Sequence, residues 1–248
     1  APKGEPDAYY ALYGWAPGAG LDIGSVPGAD TIWSVETGEK LTTETPVTLK
    51  WDNGAGLIFR RTISIDENYM FSVDQAVENT GTAPVSLAPY GVLARHGEPA
   101  DMKNFFVLHE GPMRQLEKER EDLDYSDMQD FGADPVWGVG ADVENVPTNG
   151  WTGFTDHFWM AMLIPHGDQA FTSVLRYSAQ LDTYEAIARS PTMSVAAGDS
   201  GQISSRLFAG AKEWETIRNY EDKTAKKKRH VCFDWDWFFF LTKPIFAL

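Results

Sequence analysis

From Thr45 onward, in one stretch after another as far as Ala209, the apolar residues of this chain recur at every second position, and that spacing restricts the fold more than any other feature. Successive side chains of a strand point to opposite faces, so period two means strands with one face turned inward. Val47, Leu49 and Trp51 share a face. Asp52-Asn-Gly-Ala-Gly56 then supplies turn chemistry, and Leu57, Phe59, Ile63 and Ile65 continue the alternation, which predicts a hairpin. Tyr69, Phe71, Val73 and Val77 follow, then the turn Asn79-Thr-Gly-Thr-Ala-Pro84, then Val85, Leu87 and Pro89. The spacing predicts a meander of antiparallel strands.

Phe105 to Leu108 reads as a short strand. The segment 115–130 is highly charged and reads as a solvated loop or short helix; 134–150 reads as a Gly/Pro-punctuated connection. Strands resume at Trp151. Residues 158–164 are apolar at every position, the pattern of a strand buried on both faces. Phe171, Ser173, Leu175 and Tyr177 alternate, followed by Tyr184 to Ala188. Met193, Val195 and Ala197 lead through Gly198-Asp-Ser-Gly201 into Ile203, Ser205, Leu207 and Ala209, which reads as another hairpin. From Lys212 to Glu221 the period becomes helical, with Trp214 and Ile217 on one face. About a dozen short strands followed by one helix predict a mainly β chain, a large β-sandwich with a C-terminal helical segment. Four regions follow: an irregular Gly/Pro-rich arm over 1–30, a β body over 31–210, a helix and basic linker over 211–232, and an aromatic segment over 233–248.

That last segment, Phe233-Asp-Trp-Asp-Trp-Phe-Phe-Phe-Leu-Thr-Lys-Pro-Ile-Phe246, crowds seven aromatic residues beside a few charges. Exposed in water, such a run is an aggregation liability; at a membrane–water interface it is favoured. Trp235, Trp237, Phe238, Phe239, Phe240 and Phe246 are therefore the expected membrane-interface residues. Lys226-Lys-Lys-Arg229, just before them, suits anionic headgroups. No run reaches the roughly 20 apolar residues of a spanning helix; Asp234, Asp236 and Lys243 interrupt the nearest approach. The segment reads as interfacial, leading into a transmembrane helix. Ala1 in place of Met, with no leader pattern, reads as an excised start.

The net charge of −15 excludes nucleic acid as a partner, since an acidic surface repels phosphates. Cys232 is the only cysteine, so neither an internal disulfide nor a Cys-rich zinc site is available. His96, His109, His157, His166 and His230 form no HExxH or HxH pair, so no metal site is signalled. Nucleophile-elbow, P-loop and dinucleotide-binding motifs are absent, and the acidic residues of 117–130 lack EF-hand spacing. Asp156-His157 is the pair that most resembles a carboxylate-oriented imidazole, although a structurally bonded histidine is the commoner arrangement.

Several motifs carry a family resemblance. Val47-Thr-Leu-Lys-Trp-Asp-Asn-Gly-Ala-Gly-Leu57 with the Arg-flanked strand after it, and Asn79-Thr-Gly-Thr-Ala-Pro84, resemble the first periplasmic domain of the YidC family of membrane protein insertases. Phe106-Val-Leu-His-Glu-Gly-Pro112 is similar to its alphaproteobacterial form. Gly150-Trp-Thr-Gly-Phe-Thr-Asp-His-Phe-Trp159, Leu163-Ile-Pro165 and Leu207-Phe-Ala-Gly-Ala-Lys212 are similar too, and 233–246 resembles the family's membrane-skimming segment and the entry to a transmembrane helix. The basic run 226–229 departs from the family pattern. The resemblance implies a twisted antiparallel β-supersandwich of the galactose-mutarotase type. It also implies a role in inserting, folding and assembling inner-membrane proteins, alone or with the Sec translocon. Expected partners are nascent inner-membrane proteins, Sec components and, through the C-terminal segment, the bilayer. No enzymatic chemistry and no cofactor are implied, and the expected location is the periplasmic side of the bacterial inner membrane. An alternative follows from the same fold: a carbohydrate-binding or mutarotase-like protein, with His157 as acid and Glu185 as base. A structural spacer beside a translocon is a third reading.

Overall fold

The computed structural model describes residues 5, 7–100, 102, 109–117, 119–213 and 220. Its first strands are β1 (Tyr9–Pro17), β2 (Ser34–Thr37), β3 (Val47–Asp52), β4 (Leu57–Ile65), β5 (Met70–Asn79) and β6 (Val85–His96). A hairpin follows, β7 (Gly111–Leu116) with β8 (Glu119–Asp122), then the short helix α1 (Tyr125–Gln129). The remainder is β9 (Gly140–Val146), β10 (Trp151–Thr155), β11 (Trp159–Pro165), β12 (Phe171–Ser178), β13 (Thr183–Arg189), β14 (Met193–Val195) and β15 (Ser200–Ala211).

Two antiparallel sheets face each other. One runs β1-β6-β13-β12-β9, with β14 also on β6; the other runs β2-β3-β4-β5-β15-β11-β10-β7-β8. Alternation decides which side chains enter the space between them. Tyr9, Ala11, Tyr13 and Trp15 of β1 point inward, as do Tyr184, Ala186 and Ala188 of β13 and Leu163 and Leu207 from the larger sheet. Two inner cores result. One gathers Phe154, Leu163, Phe171, Leu175, Tyr184 and Met128; the other gathers Trp15, Leu57, Phe59, Val77, Leu87 and Val195. Each fully buried side chain of this size contributes about 1.5–3 kcal/mol. Between the cores the sheets approach closely at Gly91, where a Cβ would lie 3.0 Å from Tyr13 and 3.1 Å from Leu163. A second apolar layer coats the outer face of the larger sheet: Met70, Met113, Met160, Met162, Trp151 and Phe208, with Tyr220 packed against it.

The hairpin of β3 and β4 and its continuation into β5 form as the alternation predicts, with Trp51 opposite Phe59 and Phe59 opposite Val77. The meander ends there. The turn after Asn79 carries the chain into the other sheet, so β6 pairs with β1 and β13 rather than with β5. The expected hairpin at 198–201 is corrected for the same reason: β14 pairs with β6 and β15 with β5, and the turn links the two sheets. The reading of residues 1–30 as an irregular arm is corrected at its centre, because β1 is a nine-residue strand. Both of its faces are apolar, since Tyr10 packs on the outside while Tyr9 packs inside, and this hides the alternation. The charged stretch 115–130 holds the β7–β8 hairpin as well as a helix, and the connection 134–150 contains β9. Arg114 explains both. It points inward at 1% exposure and binds Glu121 of β8 at 2.6 Å and Asp142 of β9 at 2.5 Å, so an ion cluster stands where the pattern expects hydrophobes. The strand read at 105–108 and, apart from Lys212, Glu213 and Tyr220, the helix read over 212–221 lie outside the described residues. Among the described residues, no helix is long and apolar enough to cross a membrane.

Candidate functional site

The polar residues that enter the intersheet space collect in two places. The first lies between the two apolar cores. Arg61 of β4 is half-buried there and donates through Nη2 to the Tyr13 carbonyl; its guanidinium also sits 4.8 Å from the Trp33 ring centre. Gln75 of β5 donates to the Gly14 carbonyl at 2.9 Å. Burial lowers the Arg61 pKa from its ordinary value and raises that of the Tyr13 phenol. The space beside them is about 20 Å3, room for roughly one water molecule and far below the volume of a small-molecule site. This belt ties β1 to the larger sheet through its backbone carbonyls and offers no room for a substrate.

The second lies at the end of the sandwich where β6, β10 and β13 meet α1. Arg95 Nη1 lies 2.6 Å from Asp156 Oδ1, and its guanidinium sits 4.9 Å from the centre of the Tyr9 ring. Tyr125 stacks on Phe154 at 6.1 Å and meets Tyr184 edge-on at 4.8 Å; Tyr184 stacks on Tyr177 at 4.5 Å. The Tyr184 hydroxyl donates to Glu98 at 3.2 Å and accepts from the Gln129 amide. Burial, with the Asp156 carboxylate adding to it, pushes the Tyr9 phenol well above its ordinary pKa. Tyr125 is raised mainly by burial too. These phenols stay protonated, so none is a ready base near neutral pH. The group is a packed aromatic cluster around one ion pair, and the surrounding side chains fill it.

His157 and its candidate partners separate in the structure. Asp156 is engaged by Arg95, while His157 Nδ1 lies 3.3 Å from Glu110 Oε1, so the nearest carboxylate to the imidazole comes from the residue before β7. Glu185 is bound by Arg176 on the neighbouring strand. Its position between Tyr184 and Ala186 on β13 places it on the face of Ile187, the outer face of the smaller sheet. His157 and Glu185 therefore share no cleft. His166 pairs with Asp168 on an exposed turn, and His96 Nε2 lies 3.2 Å from the Tyr10 hydroxyl. Among the described residues, no group of three or more His, Cys, Asp or Glu side chains could hold a metal ion.

An open groove of about 340 Å3 runs along the outer face of the smaller sheet, lined by Val136, Trp137, Val143, Thr172 and Arg189. Its floor adjoins Val92, Val174 and Ile187. The Asp134 carboxylate accepts from the Val136 and Trp137 amides at 2.7 and 2.9 Å, which shapes the rim. Sequence reasoning missed this groove and the tyrosine cluster. Both are assembled from residues distant in sequence, and the one local signal was the density of Tyr and Trp in segments without alternation. The expected membrane-interface residues Trp235, Trp237, Phe238, Phe239, Phe240 and Phe246 lie outside the described residues.

Comparison with known proteins identifies the architecture. A galactose mutarotase related enzyme from Lactobacillus acidophilus superposes with a TM-score of 0.51 at 11% identity, covering 73% of this chain and 71% of that one. At that identity the likeness shows the fold alone, a mainly β supersandwich of the galactose-mutarotase type. The sequence relatives are far nearer. "Membrane protein insertase YidC" of Ruegeria sp. (strain TM1040) is 54% identical over 248 residues, covering 100% of this chain and 41% of that protein. The protein of the same name from Roseobacter denitrificans is 54% identical over 250 residues, again with 100% and 41% coverage. The chain thus spans about two fifths of the length of these curated relatives. The family model described as the YidC periplasmic domain matches residues 1–248. The chain belongs to the YidC periplasmic domain family.

Proposed function

We propose that this chain is the periplasmic domain of a membrane protein insertase that aids the insertion, folding and assembly of inner-membrane proteins, alone or with the Sec translocon. The observation that carries this reading is the family match along the whole of residues 1–248, in relatives named as insertases. On this reading the domain does no enzymatic chemistry and needs no cofactor. It sits on the periplasmic face of the bacterial inner membrane, where nascent membrane proteins and Sec components are its partners. The sugar-binding alternative is not favoured: its proposed acid and base, His157 and Glu185, stand apart. A cell depleted of its own insertase and supplied with the Ruegeria relative carrying this chain in place of its periplasmic domain tests the reading. Growth and insertion at the level of the unmodified relative are expected. Loss of both, with the hybrid present at normal abundance, sinks it.

The segment 233–248 is proposed to lie in the bilayer interface, with Trp235, Trp237, Phe238, Phe239, Phe240 and Phe246 as its contacts and Lys226–Arg229 near the headgroups. Flotation of the chain on phosphatidylcholine vesicles is expected to fall to background when those six residues become Ser. Equal flotation of both forms would refute the contact.

A further inference from the structure

The larger sheet has two ends, and their turns differ in kind. At one end the turns 53–56, 80–83, 166–168 and 198–199 contain no Phe, Trp or Tyr. At the other, Tyr69 is 59% exposed, Phe158 66% and Trp159 59%. Single exposed hydrophobes are ordinary on a protein surface. These three occupy neighbouring strand ends. Trp159 is opposite Ala211 of β15, and the Ala209 amide on the same strand donates to the Tyr69 carbonyl at 3.3 Å, so Tyr69 and Trp159 flank β15 at about two strand spacings, roughly 10 Å.

Tyr69 is also held in an uncommon conformation. Its φ is 64°, in the left-handed region that a bulky side chain seldom adopts. The Asp66 carboxylate fixes it there, accepting from the Asn68 amide at 2.9 Å and the Met70 amide at 3.0 Å, while the Asp66 amide donates to the Met70 carbonyl at 3.0 Å. A turn built this firmly around an outward tyrosine presents the ring rather than tolerating it.

The chain leaves the β body at this same end. The Lys212 amide donates to the Phe158 carbonyl at 2.9 Å, and the Tyr220 hydroxyl donates to Asp66 at 2.5 Å. From Tyr220 to Phe233 the chain can reach about 45 Å even when fully extended. Whatever surface receives Phe233 therefore lies within that distance of Tyr220, which is itself bound to the turn that carries Tyr69. Trp, Tyr and Phe are also the side chains that a headgroup–acyl boundary favours.

We propose that this end of the larger sheet rests on the bilayer, so that Tyr69, Phe158 and Trp159 form a second lipid contact beside the segment 233–248. The inference rests on the interfacial reading of that segment. Asp66 and Glu67 belong to the turn of Tyr69, and Glu110 pairs with His157 beside Phe158, so the contact is aromatic rather than electrostatic. It works on zwitterionic lipid and resists salt.

The test is flotation of the full chain on phosphatidylcholine vesicles. The triple variant Tyr69→Asn, Phe158→Ser, Trp159→Ser is expected to partition about tenfold more weakly, equivalent to about 1.4 kcal/mol, with an unchanged urea midpoint. Asn keeps the left-handed turn. As a second readout, an environment-sensitive dye on Phe158→Cys, with Cys232→Ser, shifts blue on vesicles, whereas the dye on Ala55→Cys at the opposite end does not. If the parent chain floats, its 233–248 Ser variant does not, and the triple variant matches the parent, the second contact is overturned while the interfacial reading of 233–248 stands. A parent chain that stays with the soluble fraction overturns both. A triple variant that alters self-association while leaving flotation intact assigns the rings to a second copy of the chain and overturns the lipid contact.

Discussion

One end of the sandwich is closed by a single neutral side chain, the other by charge and phenols. At the first, Asn79 is 1% exposed and its amide donates to the carbonyls of Ala83 at 2.9 Å and Val195 at 3.0 Å, while its Oδ1 accepts from the Gly81 amide at 3.0 Å. Its backbone binds Asp199 and Gly198, and the next amide, of Thr80, binds Gly56. Two connections between the sheets, from β5 to β6 and from β14 to β15, pass this point, so one buried amide fixes both crossings. At the second end, Arg95 and Asp156 are set among Tyr9, Tyr125 and Tyr184, and the turns beside them present aromatic rings outward. At the first end Asn79 directs all its polar groups at the protein's own backbone, which suits closure. The second directs apolar rings at its surroundings, which suits contact.

The largest expected effect lies at the closed end. Asn79→Ala removes three hydrogen bonds from a buried site and leaves the Ala83 and Val195 carbonyls short of a donor, a loss of about 3–4 kcal/mol. Urea unfolding is expected to show a lower midpoint with an unchanged slope. A loss below about 1 kcal/mol would mean that the crossings are held by their own turn geometry and that the comparison misplaces the anchor.

Alkaline pH distinguishes the two ends next. The core beside Asn79 is Trp15, Phe59, Leu57 and Val77, none of which titrates near pH 10. At the other end Tyr9 and Tyr125 have buried hydroxyls, and burial raises both pKa values in the folded chain. In the unfolded chain these phenols ionise near pH 10. A raised folded pKa contributes stability that is present in full below pH 10 and is lost as the pH climbs above it. By pH 11 two such groups cost about 2–3 kcal/mol. Tyr9→Phe with Tyr125→Phe is expected to remove that share of the decline, and phenolate absorbance from these positions should rise only with unfolding. Ionisation well below the unfolding transition would show that the cluster admits water.

The same contrast marks what could be read in the sequence. The β3–β4 hairpin, β5, β12, β13 and the strand of β15 were legible because apolar residues recur at alternate positions along most of their length. Asn79-Thr-Gly-Thr-Ala-Pro84 was legible as a turn, yet its change of sheet was not, because period two gives a strand's faces and not its neighbours. The strands β7, β8 and β9 escaped because Arg114, Glu121 and Asp142 meet across the intersheet space, and an ion cluster between strands distant in sequence looks like a solvated loop when each is read alone. β1 escaped for the opposite reason, with apolar side chains on both faces. At the candidate site, Asp156-His157 looked like a pair because its members are adjacent, but they sit in the tight turn between β10 and β11, which aims them apart: Asp156 meets Arg95 and His157 meets Glu110. The aromatic crowding of 233–246 is plain in the composition, and the interfacial role proposed for it rests on that and on the family resemblance. The three rings of Tyr69, Phe158 and Trp159 were not, since nothing local separates an outward aromatic from an inward one.

The smallest expected effect is on the stability of those rings' own turns, and it sharpens the comparison most. Phe158 packs edge-on against His157 at 4.2 Å and is otherwise largely in solvent, and Trp159 keeps 59% of its surface exposed. Phe158→Ser or Trp159→Ser should therefore move the unfolding free energy by no more than about 0.5 kcal/mol, the usual range for exposed positions without a special role. Asn79→Ala and these variants then form a pair with opposite signatures: the first alters the urea midpoint and leaves vesicle binding per folded molecule unchanged, the second does the reverse. A loss above about 1.5 kcal/mol for Phe158→Ser would place that ring among the groups that hold the 156–158 turn against Glu110 and Lys212, and the contrast between a closed end and a contacting end would then reduce to two differently built closures.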